Sequence, residues 1–308
     1  MKVVLLSPTD DPRDWEDHLR PLFPELEWRV GPDIPDPGGV RAALVWKPPR
    51  GSLARFPDLA LIQGLGMGVD YLFEDPDLPD VPIARLVDDN LITQMSEYVC
   101  LAVLRQHRRA DDYDRLQTEG RWQKLPAPDT REATVGILGL GTIGMDTAPR
   151  LQRLGFPVIG WSRTPKQLPG VTCYTGKAGL ADFLARSRFL VCLLPLTPAT
   201  RNILDRETLG RLPRGAYLIN CARGQHLVEE DLLVLLDSGH LTGATLDVFR
   251  QEPLPADHPF WQHPCIRITP HVAGLTNAWA AAPLVAENLR RLRDGQPPRH
   301  PVDRHLGY

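Results

Sequence analysis

Three charged residues close apolar runs in the last third of the chain. Arg223 ends Leu218-Ile219-Asn220-Cys221-Ala222-Arg223, Glu252 follows Leu246-Asp247-Val248-Phe249, and His271 ends Ile266-Arg267-Ile268-Thr269-Pro270-His271. If these runs are strands of an open parallel sheet, all three residues face the crevice beyond the carboxyl ends of the strands, where such sheets bind ligands. Their types suit one reaction. Reducing a carbonyl beside a carboxylate takes a cation for the acid and the carbonyl, a proton donor for the developing alkoxide, and a group that holds the donor. Arg223, His271 and Glu252 supply these in turn. A lone arginine or histidine is more often a surface charge or a satisfied core residue; three strand-end placements together argue against chance.

The strongest local signal is Val135-Gly136-Ile137-Leu138-Gly139-Leu140-Gly141-Thr142-Ile143-Gly144. A bare G-x-G-x-x-G says little, but this one follows an apolar run and opens a helical pattern, the context a dinucleotide fingerprint requires. Gly139 permits the tight turn, Gly141 lets backbone approach a pyrophosphate, and Gly144 lets helix pack on strand. Thr142 and Ile143 then begin the helix whose N-terminus receives the anion. Pro149 is out of place, since inside a helix it removes a hydrogen bond and favours a bend.

An NAD enzyme carries an acidic residue about 20 positions after the glycines, at the end of the second strand. Here that strand ends Trp161-Ser162-Arg163-Thr164-Pro165-Lys166. No carboxylate is present; two cations and two hydroxyls gather where a 2′-phosphate would sit. The expected cofactor is NADP(H), with NAD(H) possible, and the bland alternative is a solvated basic turn. Asp247 stays open between a contact to the nicotinamide amide and a helix cap. Near the N-terminus, Gly64-Leu65-Gly66-Met67-Gly68-Val69-Asp70 lacks the dinucleotide spacing. Its Met67 and Gly68 amides can form a carboxylate clamp, and a plain tight turn is the equal alternative.

The elements that must position these residues follow from the apolar runs. Val3 to Leu6, Ala42 to Trp46, Leu59 to Gln63 and Val81 to Ala84 alternate with polar connections, which suggests a small α/β lobe with a parallel sheet. Asn90 to about Glu119 reads as one connecting helix capped by Asp89 or Asn90, and Arg121 to Arg131 as a linker or arm. Further strands are expected at Thr134 to Leu138, Val158 to Trp161, Phe189 to Leu194, Ala216 to Cys221, Ala244 to Val248 and Ile266 to Thr269. Continuous apolar strands separated by helix-sized segments mean a doubly wound parallel sheet. A helix from about Asn277 to Arg293 leads to a polar tail, expected to pack back on the first lobe.

Composition bounds the partners. A chain of 308 residues suits two domains with a cleft. A formal net charge of -3, without a long basic run, gives no field suited to a nucleic acid or an anionic membrane. No stretch approaches the ~20 apolar residues of a membrane span, and the N-terminal run reads as a buried strand rather than a secretory leader. Five cysteines without a C-x-x-C pair suit a reducing, cytoplasmic compartment, and no metal is expected.

From about Leu44 to Tyr308 the chain resembles the D-isomer-specific 2-hydroxyacid dehydrogenases, within them the bacterial glyoxylate/hydroxypyruvate reductase A group. The resemblance rests on Leu44-Val45-Trp46, Gln63-Gly64-Leu65-Gly66, Gln94-Met95-Ser96-Glu97-Tyr98, the Gly139 to Gly144 fingerprint, Trp161-Ser162-Arg163 and Leu193-Leu194-Pro195-Leu196-Thr197. Ala222-Arg223-Gly224, Leu246-Asp247-Val248-Phe249, Gln251-Glu252-Pro253-Leu254, Thr269-Pro270-His271 and the ending Val302-Asp303-Arg304 with Gly307-Tyr308 complete it. It implies a two-domain α/β protein of doubly wound parallel sheets: a Rossmann dinucleotide-binding domain over 99–274 and a flavodoxin-like substrate domain over 1–98 and 275–308. It further implies that Arg223 binds the substrate carboxylate and carbonyl, that His271 is the general acid and that Glu252 pairs with His271. Leu194, Pro195, Cys221, Ala222 and Asp247 would line the cofactor, and Trp46 would stand at the substrate mouth with Met67 and Gly68. The expected activity is NADPH-dependent reduction of glyoxylate to glycolate and of hydroxypyruvate to D-glycerate, in a homodimer. Pro149, Gly274-Leu275 and Trp279 depart from the family pattern, and the last three bear on the pocket. The rivals are an NAD-linked relative acting on phosphoglycerate, phosphonate or a larger hydroxy acid, and a nucleotide-sensing corepressor on the same fold.

Overall fold

Short apolar runs bounded by turns form two all-parallel sheets in the computed structural model, which describes residues 1–308. In chain order the elements are β1 (Lys2–Leu6), α1 (Pro12–Leu19), β2 (Glu27–Val30), β3 (Val40–Val45), β4 (Leu61–Gly64), β5 (Ile83–Ala84), α2 (Asp89–His107) and α3 (Ala110–Thr118). They continue as β6 (Val135–Leu138), α4 (Thr142–Arg153), β7 (Val158–Ser162), β8 (Thr172–Thr175), α5 (Gly176–Arg186), β9 (Phe189–Cys192), α6 (Arg206–Gly210), β10 (Ala216–Asn220), α7 (Glu229–Asp237), β11 (Leu241–Leu246), β12 (Ile266–Ile268) and α8 (Ala278–Arg293). The chain divides into two units, Met1–Leu91 with Leu275–Tyr308, and Ile92–Gly274. The first division, at 91/92, and the 98/99 boundary expected from the sequence both fall inside α2. A continuous helix carries no periodicity break to mark such a point.

The first unit has strand order β2-β1-β3-β4-β5, the flavodoxin-like order. Its central strands are buried on both faces. Val3, Leu5, Ala42 and Leu44 pack under Trp15 and Leu19 of α1 and Ala282, Val285 and Leu289 of α8. Val4, Leu6, Ala43 and Val45 meet Leu53, Phe56 and Leu72. Two buried amides are matched within this core: Asn288 Nδ2 donates to Gln63 Oε1 at 2.7 Å, and the Arg299 amide donates to Asn288 Oδ1 at 2.6 Å. Removing one partner strands a buried polar group, at a cost of about 1–3 kcal/mol. The tail does return to this unit: Pro301 bridges Ala84, and the Val302 amide donates to the Ile83 carbonyl at 2.8 Å.

The second unit is a seven-stranded sheet ordered β12-β11-β10-β9-β6-β7-β8. The order reverses between β6 and β9, the switch point beyond which doubly wound sheets bind ligands. Three expectations need correction. The long connecting helix is two helices, broken where Arg109 takes a left-handed φ of 58°. The cap of α2 is neither Asp89 nor Asn90 but Asp88, whose Oδ1 accepts from the Leu91 amide at 3.0 Å. Strands β2 and β8 were not expected. Helix α4 runs on past Pro149 to Arg153. No helix is long and apolar enough to cross a membrane, no group of three His, Cys, Asp or Glu side chains could hold a metal ion, and all five cysteines are free thiols.

Candidate active site

The glycines after β6 shape open ground at the switch point. Gly139 has φ +117°, and a Cβ there would stand 2.8 Å from the Leu193 backbone, so this turn lies against the loop that follows β9. A Cβ on Gly144 would stand 2.1 Å from the Gly139 carbonyl oxygen, which is why α4 can begin so close to the strand. Gly141, the N-cap of α4, has nothing within 4 Å of where its Cβ would be. The first amides of α4, around Thr142 and Ile143, thus follow a glycine whose side-chain position is open space. That geometry and the positive end of a 12-residue helix fit the pyrophosphate of a dinucleotide.

Past β7, the turn backbone is fastened from within. Buried Ser162 donates through Oγ to the Thr164 carbonyl at 2.7 Å, Thr175 Oγ1 donates to the Arg163 carbonyl at 3.0 Å, and Trp161 Nε1 donates to the Gly176 carbonyl at 3.0 Å. The side chains of Arg163, Thr164 and Lys166 are exposed. On the loop after β9, Leu194 is buried and the Pro195 carbonyl accepts from Thr200 Oγ1 at 2.7 Å. Beyond β10, Cys221 and Ala222 are buried, and burial pushes the Cys221 thiol far up, so it serves as a small core side chain.

Arg223 follows directly. Its carbonyl accepts from Asn220 Nδ2 at 3.0 Å and faces His226 Nδ1 at 3.2 Å, and both of those side chains are fully buried. Its Nη1 donates to the Ala222 carbonyl at 2.7 Å. Beyond β12, His271 takes φ 57°, uncommon for a residue with a side chain. Its amide donates to the Asp247 carbonyl at 2.8 Å, and its Nδ1 lies 2.8 Å from Glu252 Oε2. A carboxylate only accepts, so Nδ1 carries the proton. Glu252 is itself oriented, since its Oε1 accepts from the Phe249 amide at 3.1 Å. At 24% and 22% exposure, His271 and Glu252 are sheltered yet reachable. Such a pair can deliver a proton from Nε2 while the carboxylate holds the ring.

Of the two sequence-based readings of Asp247, the helix cap is not what the structure shows. Its carboxylate accepts from Thr269 Oγ1 at 2.5 Å and from the Val272 and Ala273 amides at 2.9 and 2.8 Å, fastening the turn that carries His271. Burial raises its carboxyl above the ordinary value, and these three donors and His271 act against that rise. Arg223, Asp247, Glu252 and His271 therefore gather beyond the carboxyl ends of β10, β11 and β12. Tyr98, Asn220, His226 and Thr269 belong to the same group of hydrogen bonds and were passed over in the sequence. Tyr98, Asn220 and Thr269 could have been flagged only by their place inside the motifs, and His226 lies outside all of them.

Trp46, Met67 and Gly68 lie in the first unit and form a group of their own. The Trp46 ring meets Tyr71 edge-on at 5.4 Å, and a Cβ on Gly66 would stand 2.7 Å from the indole. Tyr71 is held by its hydroxyl donating to the Val45 carbonyl at 3.0 Å. No backbone carbonyl takes the amides of Met67 and Gly68.

Known proteins share this fold. Residues 100–273 match the profile of the D-isomer specific 2-hydroxyacid dehydrogenase NAD binding domain. A D-isomer specific 2-hydroxyacid dehydrogenase from Xanthobacter autotrophicus, crystallised with NADPH and MES, is 45% identical, with a TM-score of 0.95 over 100% of this chain and 99% of its own. An NADPH-dependent glyoxylate/hydroxypyruvate reductase from Sinorhizobium meliloti, crystallised with NADP and sulfate, is 40% identical, with a TM-score of 0.94 and the same coverage. A probable 2-hydroxyacid dehydrogenase from Rhizobium etli, in complex with NADP, HEPES and L(+)-tartaric acid, is 37% identical, with a TM-score of 0.90 over 100% of this chain and 99% of its own. With a matching profile over more than half its length and relatives of this identity along all of it, the chain belongs to the D-isomer specific 2-hydroxyacid dehydrogenase family.

Proposed function

We propose that this chain reduces small 2-oxo acids, glyoxylate and hydroxypyruvate among them, to 2-hydroxy acids with NADPH, using Arg223, Glu252 and His271. The observation that carries the reading is the His271–Glu252 pair at 2.8 Å, placed on the same sheet edge as the glycine cradle. Bound NADPH supplies the hydride for the carbonyl carbon. His271 gives its Nε2 proton to the carbonyl oxygen, and Glu252 holds Nδ1 and steadies the charged ring. Arg223 binds the carboxylate with its planar fork of donors and stabilises charge developing on the oxygen. The amides at Gly141, Thr142 and Ile143 hold the pyrophosphate, with Gly139 and Gly144 shaping the turn. Arg163, Thr164 and Lys166 receive the 2′-phosphate beside Trp161 and Ser162. Leu194, Pro195, Cys221, Ala222 and Asp247 border the nicotinamide end, and Trp46, Met67 and Gly68 serve the substrate. In this reading residues 99–274 are the cofactor domain, and 1–98 with 275–308 the substrate domain.

The S. meliloti relative, described as an NADPH-dependent glyoxylate/hydroxypyruvate reductase, supports the substrate class. The exposed basic turn at Arg163 to Lys166 supports the cofactor. Exposed Leu101, Tyr113 and Trp122, carried by α2, α3 and the arm, support a homodimer, which light scattering at the 34.4 kDa monomer mass would contradict. Five free thiols suit the cytoplasm. The test is a steady-state panel of glyoxylate, hydroxypyruvate, pyruvate and 2-oxobutyrate with both cofactors. NADPH is expected to exceed NADH by about tenfold to a hundredfold in kcat/KM, the range of one charge-assisted contact, and solvent at the open turn favours the lower figure. Arg163→Asp weakens NADPH use far more than NADH use. Equal use of the two cofactors, or L-glycerate as the product from hydroxypyruvate, overturns the reading.

A further inference from the structure

The turn that carries His271 is tied to helix α2 by hydroxyl groups that can point only one way. Thr269 Oγ1 lies 2.5 Å from Asp247 Oδ1 and 2.7 Å from the Tyr98 hydroxyl. Asp247 also accepts two backbone amides, so as a carboxylate it must take the single Thr269 proton. Thr269 then has only a lone pair left for Tyr98, and Tyr98 must donate. Burial pushes the Tyr98 hydroxyl well above the ordinary tyrosine value, so the proton stays in place for that donation. Donation therefore runs from Tyr98 to Thr269 to Asp247, whose carboxylate also accepts from the amides of Val272 and Ala273, the two residues after His271. The Asp247 carbonyl meanwhile takes the His271 amide at 2.8 Å.

We propose that Tyr98 and Thr269 are positioning residues for His271, a one-way chain of hydrogen bonds from α2 that fixes Asp247 and, through it, the left-handed turn presenting the imidazole. The proposal rests on His271 being the proton donor. Asp247 is 1% exposed, and a buried carboxylate deprived of one donor relaxes toward whatever donors remain. Here the remaining donors are the two amides that set the backbone of the turn. Thr269 thus keeps Asp247 from pulling that backbone out of register, and Tyr98 keeps Thr269 from turning its proton elsewhere. A general acid displaced by about 1 Å loses up to about a hundredfold in rate. Because the loss is confined to the transition state, it appears in kcat and not in substrate binding.

The experiment compares Thr269→Val, Thr269→Ser, Tyr98→Phe, the Tyr98→Phe/Thr269→Val double variant and His271→Ala in the full-length protein. It records kcat and KM for glyoxylate, the Kd for NADPH by fluorescence titration, and Tm. Thr269→Val is expected to lower kcat about tenfold to a hundredfold with KM and Kd near wild type. Thr269→Ser, which keeps the hydroxyl, restores most of the rate. Tyr98→Phe lowers kcat less, and the double variant matches Thr269→Val alone, since both act through one proton. A Thr269→Val enzyme with wild-type kcat, a loss that Thr269→Ser fails to restore, or additive losses in the double variant overturns the proposal. If Thr269→Val does not fold, Tyr98→Phe carries the test through its kcat and its unchanged KM. Turnover retained in His271→Ala would instead remove the catalytic reading itself, so the two failures are told apart.

Discussion

His271 combines a strained backbone with a fixed ring: φ 57°, and Nδ1 at 2.8 Å from Glu252. A left-handed non-glycine residue costs of order 1–3 kcal/mol and persists only where its surroundings insist on it. Here the Asp247 carbonyl and carboxylate supply that insistence. His271→Ala is expected to lower kcat for reduction by roughly 10²–10⁴, the range for a lost general acid. Glu252→Gln keeps a hydrogen-bonding partner but removes its charge. The neutral amide steadies the charged ring less as the proton is transferred, so kcat falls although the ring is still held. Steady-state kcat for both proteins checks the direction, and an unchanged kcat would count against the pair. At this scale the sequence was informative where charge marked the residue. Arg223, Glu252 and His271 each stand after an apolar run. Thr269 and Tyr98 are common residue types whose use depends on the direction of a hydroxyl proton, and the linear chain holds no trace of that.

The β6 turn and α4 show how one element can separate stability from binding. At Gly144 an added methyl would meet the Gly139 carbonyl oxygen at 2.1 Å, and backbone must move. At Gly141 it would meet nothing, and φ of −82° suits any residue. Gly144→Ala is therefore expected to cost about 1–3 kcal/mol, as overpacking does, and to lower Tm. Gly141→Ala should leave Tm nearly unchanged and weaken NADPH binding, because its Cβ points into the cradle. Thermal melts with and without NADPH measure both effects, and a large Tm loss in Gly141→Ala would contradict the geometry. Elements were legible where burial made them almost wholly apolar, as in β3, β6, β9 and β10. β2 and β8 escaped because they are sheet edges with mostly polar, half-exposed side chains: Glu27-Trp28-Arg29-Val30 and Thr172-Cys173-Tyr174-Thr175. The break between α2 and α3 escaped as well, since Arg109 enters the left-handed region with neither glycine nor proline to announce it.

Across the whole molecule, each unit shelters a histidine other than His271. His107 packs edge-on to Phe156 at 5.0 Å, and burial followed by Arg108 lowers it from the ordinary 6.5. His300 is lowered by burial, then by Arg85 and Arg299. A base whose folded value is depressed is neutral in the fold while the unfolded chain takes up its proton. Stability is then full above about pH 6.5 and is lost as pH falls. Tm is expected to decline below that pH, and His107→Gln and His300→Gln should each flatten the decline; an unchanged slope in both would refute the account. The division into units came from the family resemblance rather than from either sheet, because the first unit is made from the two ends of the chain. That discontinuity has a consequence during synthesis on the ribosome. Residues 92–274 emerge as an uninterrupted stretch and can fold as they appear, whereas the opening 91 residues must wait with one sheet face covered by α1 alone until α8 arrives. The nascent first unit is thus the part that needs a chaperone, and stopping translation after Gly274 should yield a chain in which proteases digest the N-terminal segment while the inserted unit survives.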